Sequence, residues 1–169
     1  IRLARMRFLS IFFSLLLSGG CSGRFHSIEP STRTQKLYER TDFTVLLTAD
    51  YRNAYLQEEV ALDMLIETPS GEERLLPCFW VEGKSGAESR WEARFTPQEP
   101  GRYFCRFRLS EQGEEVARSR AVELSVQPAA EGERGILHVR DNWTLVYDDG
   151  TPFRGVAENI CWESRANDD

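Results

Sequence analysis

The chain has 169 residues and a formal net charge of −6, and this length suits one ordinary domain plus part of another. The acidic balance argues against a nucleic-acid-binding protein, because contacts to phosphate require clustered lysine and arginine side chains. With only four cysteines, two histidines and no C-x-x-C spacing, the sequence predicts neither a metal site nor a cofactor.

Residues 1–20 are predicted to be a signal peptide rather than part of the fold. Arg2, Arg5 and Arg7 form a positive segment, and the apolar segment that follows is residues 8–17 (FLSIFFSLLL). A membrane-spanning helix needs roughly 20 apolar residues, so this segment is too short to be one. Met6 is the expected start of translation. Removal of residues 1–20 takes away three arginines and leaves 149 residues with a formal charge of about −9.

The end of this segment, residues 17–21 (LSGGC), resembles the bacterial lipobox, in which small residues precede a lipidated cysteine. The resemblance implies that Cys21 carries lipid and holds the protein on a bacterial membrane, on the periplasmic or the cell-surface side. Two or more acyl chains would anchor it stably, since each buried CH₂ contributes about 0.8 kcal/mol. Ser18 departs from the usual pattern, which has leucine there. The alternative is an ordinary cleavage site that leaves Cys21 as a free thiol.

Residues 21–35 are predicted to be a tether between the lipid and a folded domain. They are polar, lack hydrophobic periodicity and include Pro30.

Residues 36–128 are predicted to form an all-β sandwich. Apolar residues alternate with polar ones in several short runs, the pattern of strands that are buried on one face. The inward positions are Phe43, Val45, Leu47 and Ala49; Val60, Leu62, Met64 and Ile66; Trp91, Ala93 and Phe95; Tyr103, Cys105, Phe107 and Leu109; and Val122, Leu124 and Val126. The gaps contain turn-forming residues, so about seven strands are expected in two sheets. Trp80 and Trp91 are predicted to be core residues rather than a carbohydrate-binding surface.

A tyrosine corner is predicted in residues 99–105 (EPGRYFC), where Tyr103 would hydrogen-bond back across the preceding turn. This motif favours an immunoglobulin-like β-sandwich. Cys105 would take the core position of the usual disulfide, but residues 40–66 contain no cysteine to pair with it. A bond between Cys78 and Cys105 and a buried, unpaired role for each remain equal alternatives.

Residues 36–162 resemble a bacterial immunoglobulin-like domain of unknown function that precedes cellulase-like TIM-barrel glycoside hydrolases. The clearest shared motif is an aromatic block filled here by Trp91, Arg94, Phe95, Pro97, Gly101 and Tyr103. The other shared segments are residues 43–49 (FTVLLTA), 51–53 (YRN), 68–71 (TPSG) and 78–80 (CFW). The chain has Asn53-Ala54-Tyr55 where that family has Asn-Pro-aromatic.

Residues 129–169 are predicted to hold a β-hairpin and the first strand of a truncated (β/α)₈ barrel. Residues 135–139 and 143–147 read as short strands, and residues 148–150 (DDG) as a tight turn. The segment through Trp162 is similar to the entry of glycoside hydrolase barrels, which implies that Asn159 and Trp162 line a sugar-binding cleft. The alternatives are a turn role for Asn159 and a barrel-core role for Trp162.

No catalytic residue is predicted within the chain. Glycosidases need two carboxyl groups about 5 to 9.5 Å apart, and the resemblance implies that both come from later strands, beyond Asp169. Glu158 is therefore not assigned as an acid, and Glu163, Asp168 and Asp169 are interpreted as loop charges. Motifs of serine hydrolases, zinc peptidases and nucleotide-binding proteins are absent from the sequence.

Two functions are consistent with these patterns. The first is the N-terminal fragment of a lipid-anchored, exported glycoside hydrolase that acts on polysaccharide, with the sandwich as a non-catalytic accessory domain. The second is a non-catalytic surface lipoprotein whose immunoglobulin-like domain binds glycan or another protein.

Overall fold

The computed structural model describes residues 24–141 and 143–156. These residues form strands, turns and irregular segments, with no helix among them. The strands are β1 Phe25–Pro30, β2 Thr34–Lys36, β3 Thr41–Thr48, β4 Val60–Glu67, β5 Glu73–Pro77, β6 Phe79–Gly83, β7 Glu88–Phe95, β8 Gly101–Glu111, β9 Glu114–Arg118, β10 Val122–Gln127, β11 Leu137–Val139 and β12 Leu145–Tyr147. Within this part of the chain, no helix has the length and hydropathy needed to cross a membrane. The predicted signal peptide and lipidation site lie outside the described residues.

The strands form two main sheets and a separate hairpin. The smaller sheet has the order β1-β3-β7-β6, with all neighbours antiparallel. The larger sheet has the order β2-β10-β8-β4-β5, and β9 also pairs with β8. The only parallel pairing among the described strands joins β2 to β10. The hairpin consists of β11 and β12. The chain is thus all-β, as the alternating pattern predicts.

The two sheets bury a common hydrophobic core. Along β3 and β4 every second side chain is buried, because successive side chains of a strand point to opposite faces. Aromatic pairs join the sheets: Phe43 and Phe107 have ring centroids 5.8 Å apart, and Phe95 and Tyr103 have theirs 5.4 Å apart. A fully buried side chain such as Phe43 contributes roughly 1.5–3 kcal/mol relative to exposure. The predicted inward positions are confirmed, with Val122 half-buried at the margin of the core.

The predicted tether differs from the structure. Residues 25–30 and 34–36 are β1 and β2, and β1 pairs with β3. A bulge between Phe25 and Ser27 shifts the register, so Phe25 and Ile28 both pack against the core although they are three residues apart. The bulge thereby removes the period-two signal that would have identified the strand in the sequence.

The predicted tyrosine corner hydrogen bond is present. The Tyr103 hydroxyl donates to the Glu99 carbonyl oxygen at 2.9 Å and accepts from the Glu99 amide at 3.1 Å. Gly101 has φ +134°, and a Cβ atom there would lie 2.7 Å from Cβ of Pro69, so the turn requires glycine. The hydrogen bonds between Tyr103 and Glu99 therefore hold the turn between β7 and β8 against the start of β8.

The C-terminal hairpin is tied to the sandwich through one carboxylate. The strands β11 and β12 lie within the two segments predicted to be strands, and the backbone turns at residues 148–150. Asp148 accepts a hydrogen bond from the Ile136 amide at 2.8 Å, its side chain also bonds to His138, and it lies beside the Tyr38 side chain at Gly135. Since Tyr38 follows β2 of the larger sheet, Asp148 links the hairpin to the sandwich.

Candidate functional site

The residues predicted to form a site cannot be placed. Asn159 and Trp162, assigned to a sugar-binding cleft, and Cys21, assigned to lipidation, lie outside the described residues. Within residues 24–141 and 143–156, the candidate site is a pocket at the edge of the sandwich.

An aromatic pocket of about 180 Å³ lies at the edge of the sandwich, where the chain crosses from one sheet to the other. The Cys78 amide still bonds to the Leu62 carbonyl oxygen of the larger sheet at 2.8 Å, whereas Phe79 already pairs with Glu92 of the smaller sheet. The pocket is lined by Tyr55, Gln57, Asp63, Cys78, Phe79 and Trp80, among others. The crossing leaves the space between the sheets open at this corner.

Two aromatic side chains form the wall of the aromatic pocket. The Tyr55 and Trp80 rings meet edge to face, with centroids 5.3 Å apart and an interplanar angle of 76°. The Trp80 indole N–H donates to the Tyr51 hydroxyl at 3.2 Å, which fixes the indole orientation. Tyr55 is 74% exposed, an unusual position for a large ring.

The two tryptophans predicted to lie in the core have different environments. Trp91 is 2% exposed, and its indole N–H donates to the Ser89 hydroxyl at 3.1 Å. Trp80 is only half-buried and reaches the pocket surface. The core assignment is thus confirmed for Trp91, whereas Trp80 also contributes to a surface site.

The loop that carries Tyr55 is held by Glu59. The Glu59 carboxylate accepts hydrogen bonds from the backbone amides of Arg52 at 2.7 Å and Asn53 at 3.0 Å, and it pairs with the Arg52 guanidinium. These bonds, led by that from the Arg52 amide, lower the pKa of Glu59. The Asn53 side chain accepts from the Tyr55 amide at 3.0 Å, which forms an Asx turn. The loop therefore presents Tyr55 on an ordered backbone.

The polar groups of the aromatic pocket carry little net charge. Asp63 accepts a hydrogen bond from Arg108 at 2.8 Å, which offsets its negative charge. Burial raises the pKa of the Cys78 thiol, and the nearby Asp63 carboxylate raises it further. Because the thiolate is the nucleophilic form, Cys78 is not suited to covalent catalysis here. Cys78 and Cys105 are both free thiols, and burial raises the pKa of Cys105 to about 12.

A second depression of about 420 Å³ lies on the outer face of the larger sheet. Its four arginines are each paired with an acidic side chain, so their positive charge is largely neutralised. The pairs are Arg74 with Glu72, Arg106 with Glu67, Arg108 with Asp63 and Arg118 with Glu115. Arg106 and Arg108, like Arg102 with Glu123, therefore belong to the outer, solvated face of β8.

No group of three or more histidine, cysteine, aspartate or glutamate side chains is placed to hold a metal ion in the described part of the chain. His138 and Asp148 form an acid–base contact, but Asp148 is also bonded to the Ile136 amide. That pair lies on the hairpin and stabilises its attachment. The aromatic pocket combines several aromatic side chains with a few polar groups, which are features of ligand-binding sites.

Comparison with known proteins gives a structural likeness. No model of a protein family matches the chain, and no curated protein matches it in sequence. A crystal structure from Bacteroides vulgatus, described as that of a putative glycoside hydrolase, is similar with a TM-score of 0.50 and 18% sequence identity. The match covers 72% of this chain and 21% of that protein. This chain therefore spans about a fifth of that protein's length, and the likeness concerns the fold.

Proposed function

We propose that this chain is the N-terminal, non-catalytic part of an exported glycoside hydrolase that acts on polysaccharide. The observation that carries the proposal is the all-β fold shared with a protein described as a putative glycoside hydrolase, of which this chain matches 21%. Because the match covers only 21% of that protein, its remainder has room for a barrel of roughly 250 residues. A match of this size suits an accessory domain.

An immunoglobulin-like classification of the sandwich is part of this proposal. The order β1-β3-β7-β6 corresponds to strands A-B-E-D of an immunoglobulin domain, and β10-β8-β4 corresponds to G-F-C. The tyrosine corner begins β8, the strand equivalent to F, and Cys105 follows Tyr103 by two residues, as in that fold. These features support the classification independently of sequence similarity.

The remaining parts of the chain have proposed roles that rest on the sequence. Residues 1–20 are a signal peptide, Cys21 carries the lipid, and the tether is short because β1 begins at Phe25. Residues 129–169 begin the barrel domain, where Asn159 and Trp162 line the cleft. The protein is thus held on the outer side of a bacterial membrane, close to polymeric substrates.

The acidic side chains of the sandwich support a non-catalytic role. Glycoside hydrolysis requires two carboxyl groups on opposite sides of one bond, with one of them able to donate a proton. Asp63, which lines the aromatic pocket, is held by Arg108, and Glu59 in the loop that carries Tyr55 is held by Arg52 and has a lowered pKa. A lowered pKa keeps this carboxyl ionised at neutral pH, which is unsuitable for a general acid.

The test is release of reducing sugar from a panel of polysaccharides. The protein encoded by the complete reading frame is compared with this chain. We expect hydrolysis by the complete protein and none by the chain. If the complete protein binds glycan without hydrolysing it, the second hypothesis, a non-catalytic surface lipoprotein, replaces this one.

A further inference from the structure

We propose that the aromatic pocket formed around Tyr55, Gln57, Asp63 and Trp80 binds one sugar ring of a neutral polysaccharide. This inference rests on the proposed function for the class of its ligand, and it assigns a binding site to the sandwich itself. The accessory sandwich would then hold the enzyme against its polymer.

The volume of the pocket limits the size of the ligand. Typical clefts for drug-sized ligands have volumes of roughly 300–1,000 Å³, whereas this pocket has about 180 Å³. A single pyranose ring is the appropriate size for such a space. Because the pocket is open to solvent at the edge of the sandwich, the rest of a polymer can continue beyond it.

The aromatic wall suits the apolar face of a sugar. A pyranose ring has C–H groups on its faces and hydroxyl groups around its rim, so it can pack on an aromatic ring while its hydroxyls remain hydrogen-bonded. Tyr55 and Trp80 provide such surfaces, and both have a polar tip as well as an apolar body. Because the Tyr55 side chain is largely exposed, it contributes little burial energy to the fold. Its ring is available to contact another molecule.

The loop beneath Tyr55 is ordered before a ligand arrives. Glu59 bonds to two backbone amides, and the Asx turn at Asn53 fixes the amide of Tyr55 itself. Binding to an ordered surface avoids part of the entropy lost when a mobile loop is fixed. The interactions of Glu59 therefore favour binding without contacting the ligand.

The polar side chains favour a neutral sugar over an acidic one. The Gln57 amide provides both donors and acceptors for hydroxyl groups, and the Asp63 carboxylate provides acceptors. Asp63 is paired with Arg108 at 2.8 Å, and no lysine or arginine among the described residues lines the pocket, so its lining offers no positive charge to a sugar carboxylate. The ligand we infer is thus an uncharged glycan.

The experiment measures the affinity of the full chain for neutral oligosaccharides by titration, with intact Tyr55 and as Tyr55→Ala. Tyr55 is exposed, so its replacement should leave the fold intact, and thermal unfolding verifies this. We expect at least about tenfold weaker binding, the change that corresponds to about 1.4 kcal/mol. Gln57→Ala, also an exposed position, should weaken binding as well. The matched control is Trp143→Ala, because Trp143 is 95% exposed on the hairpin and does not line the pocket.

The outcomes separate this inference from the proposed function. Equal affinities of Tyr55→Ala and the unaltered chain, or no binding of any neutral glycan, would overturn the sugar site, whether or not the complete protein hydrolyses glycan. Binding of a fluorescent apolar dye at Tyr55 without any sugar binding would also overturn it, in favour of an apolar docking surface. Weaker binding by Tyr55→Ala, together with a complete protein that lacks hydrolysis, supports the site and contradicts only the proposed enzyme.

Discussion

The tyrosine corner provides a quantitative test of how the sandwich is held together. In Tyr103→Phe the ring remains in place, so the change removes two hydrogen bonds to Glu99 without creating a large cavity. Each such bond contributes about 0.5–1.5 kcal/mol net, and leaving a buried partner unsatisfied costs about 1–3 kcal/mol. Burial raises the pKa of Tyr103, so its hydroxyl is a protonated donor at neutral pH. We therefore expect a loss of about 1–3 kcal/mol in the free energy of unfolding.

Urea denaturation measures this loss as a lower midpoint with an unchanged slope, since the surface exposed on unfolding is the same. Tyr55→Phe is the control, because it removes the same oxygen from a side chain that is 74% exposed. An exposed substitution of this kind should remain within about 0.5 kcal/mol of the unaltered chain. If Tyr103→Phe were no less stable than this control, the corner would not contribute to stability and the reasoning would be refuted.

Three further predictions concern other parts of the described structure. The first uses a variant in which Cys21 and Cys161 are replaced by serine. Because burial raises the pKa of Cys78 and Cys105, neither thiol should react with a thiol reagent at pH 8 until the protein unfolds. Rapid reaction in the folded state would contradict this. The pKa of Glu59 is lowered in the fold, so its stabilising effect is present above the ordinary glutamate pKa of about 4.3 and is lost as pH falls through the lowered value. Glu59→Gln should therefore have a lower melting temperature than the unaltered chain at pH 7, and its melting temperature should fall less as pH drops below 4. A pH profile identical to that of the unaltered chain would refute this. Asp148→Ala should increase amide hydrogen exchange in the hairpin while exchange in the sandwich is unchanged, and uniform exchange throughout would show that Asp148 does not hold the hairpin.

The core of the sandwich could be predicted because its strands are regular. Period-two alternation placed Phe43, Val45 and Leu47 on one face, and all three are fully buried. The turn residues before β8 similarly predicted the Tyr103 hydrogen bond, since that contact depends on residues only four apart. Period-two alternation and the tyrosine corner can be predicted from the sequence because the pleat of a strand and the geometry of a turn depend only on neighbouring residues.

Features that depend on distant pairing could not be predicted in the same way. The bulge in β1 breaks alternation, so Phe25 and Ile28 gave no strand signal in the sequence. The surface position of Trp80 depends on where the chain leaves the larger sheet after Cys78. Contact between Trp80 of β6 and Tyr55 in the loop before β4 joins residues 25 positions apart, and nothing in either segment alone indicates it.

The central claim is that this chain binds glycan and does not cleave it, and one NMR titration tests both parts. A neutral oligosaccharide is added to ¹⁵N-labelled chain, and the indole N–H signals are followed over time together with the sugar signals. Binding in the aromatic pocket should shift the Trp80 indole signal, because this indole and its hydrogen bond to Tyr51 lie beside the pocket. The exposed Trp143 should show no shift, and the oligosaccharide should stay intact throughout. An unchanged Trp80 signal or the appearance of cleaved sugar would contradict the central claim.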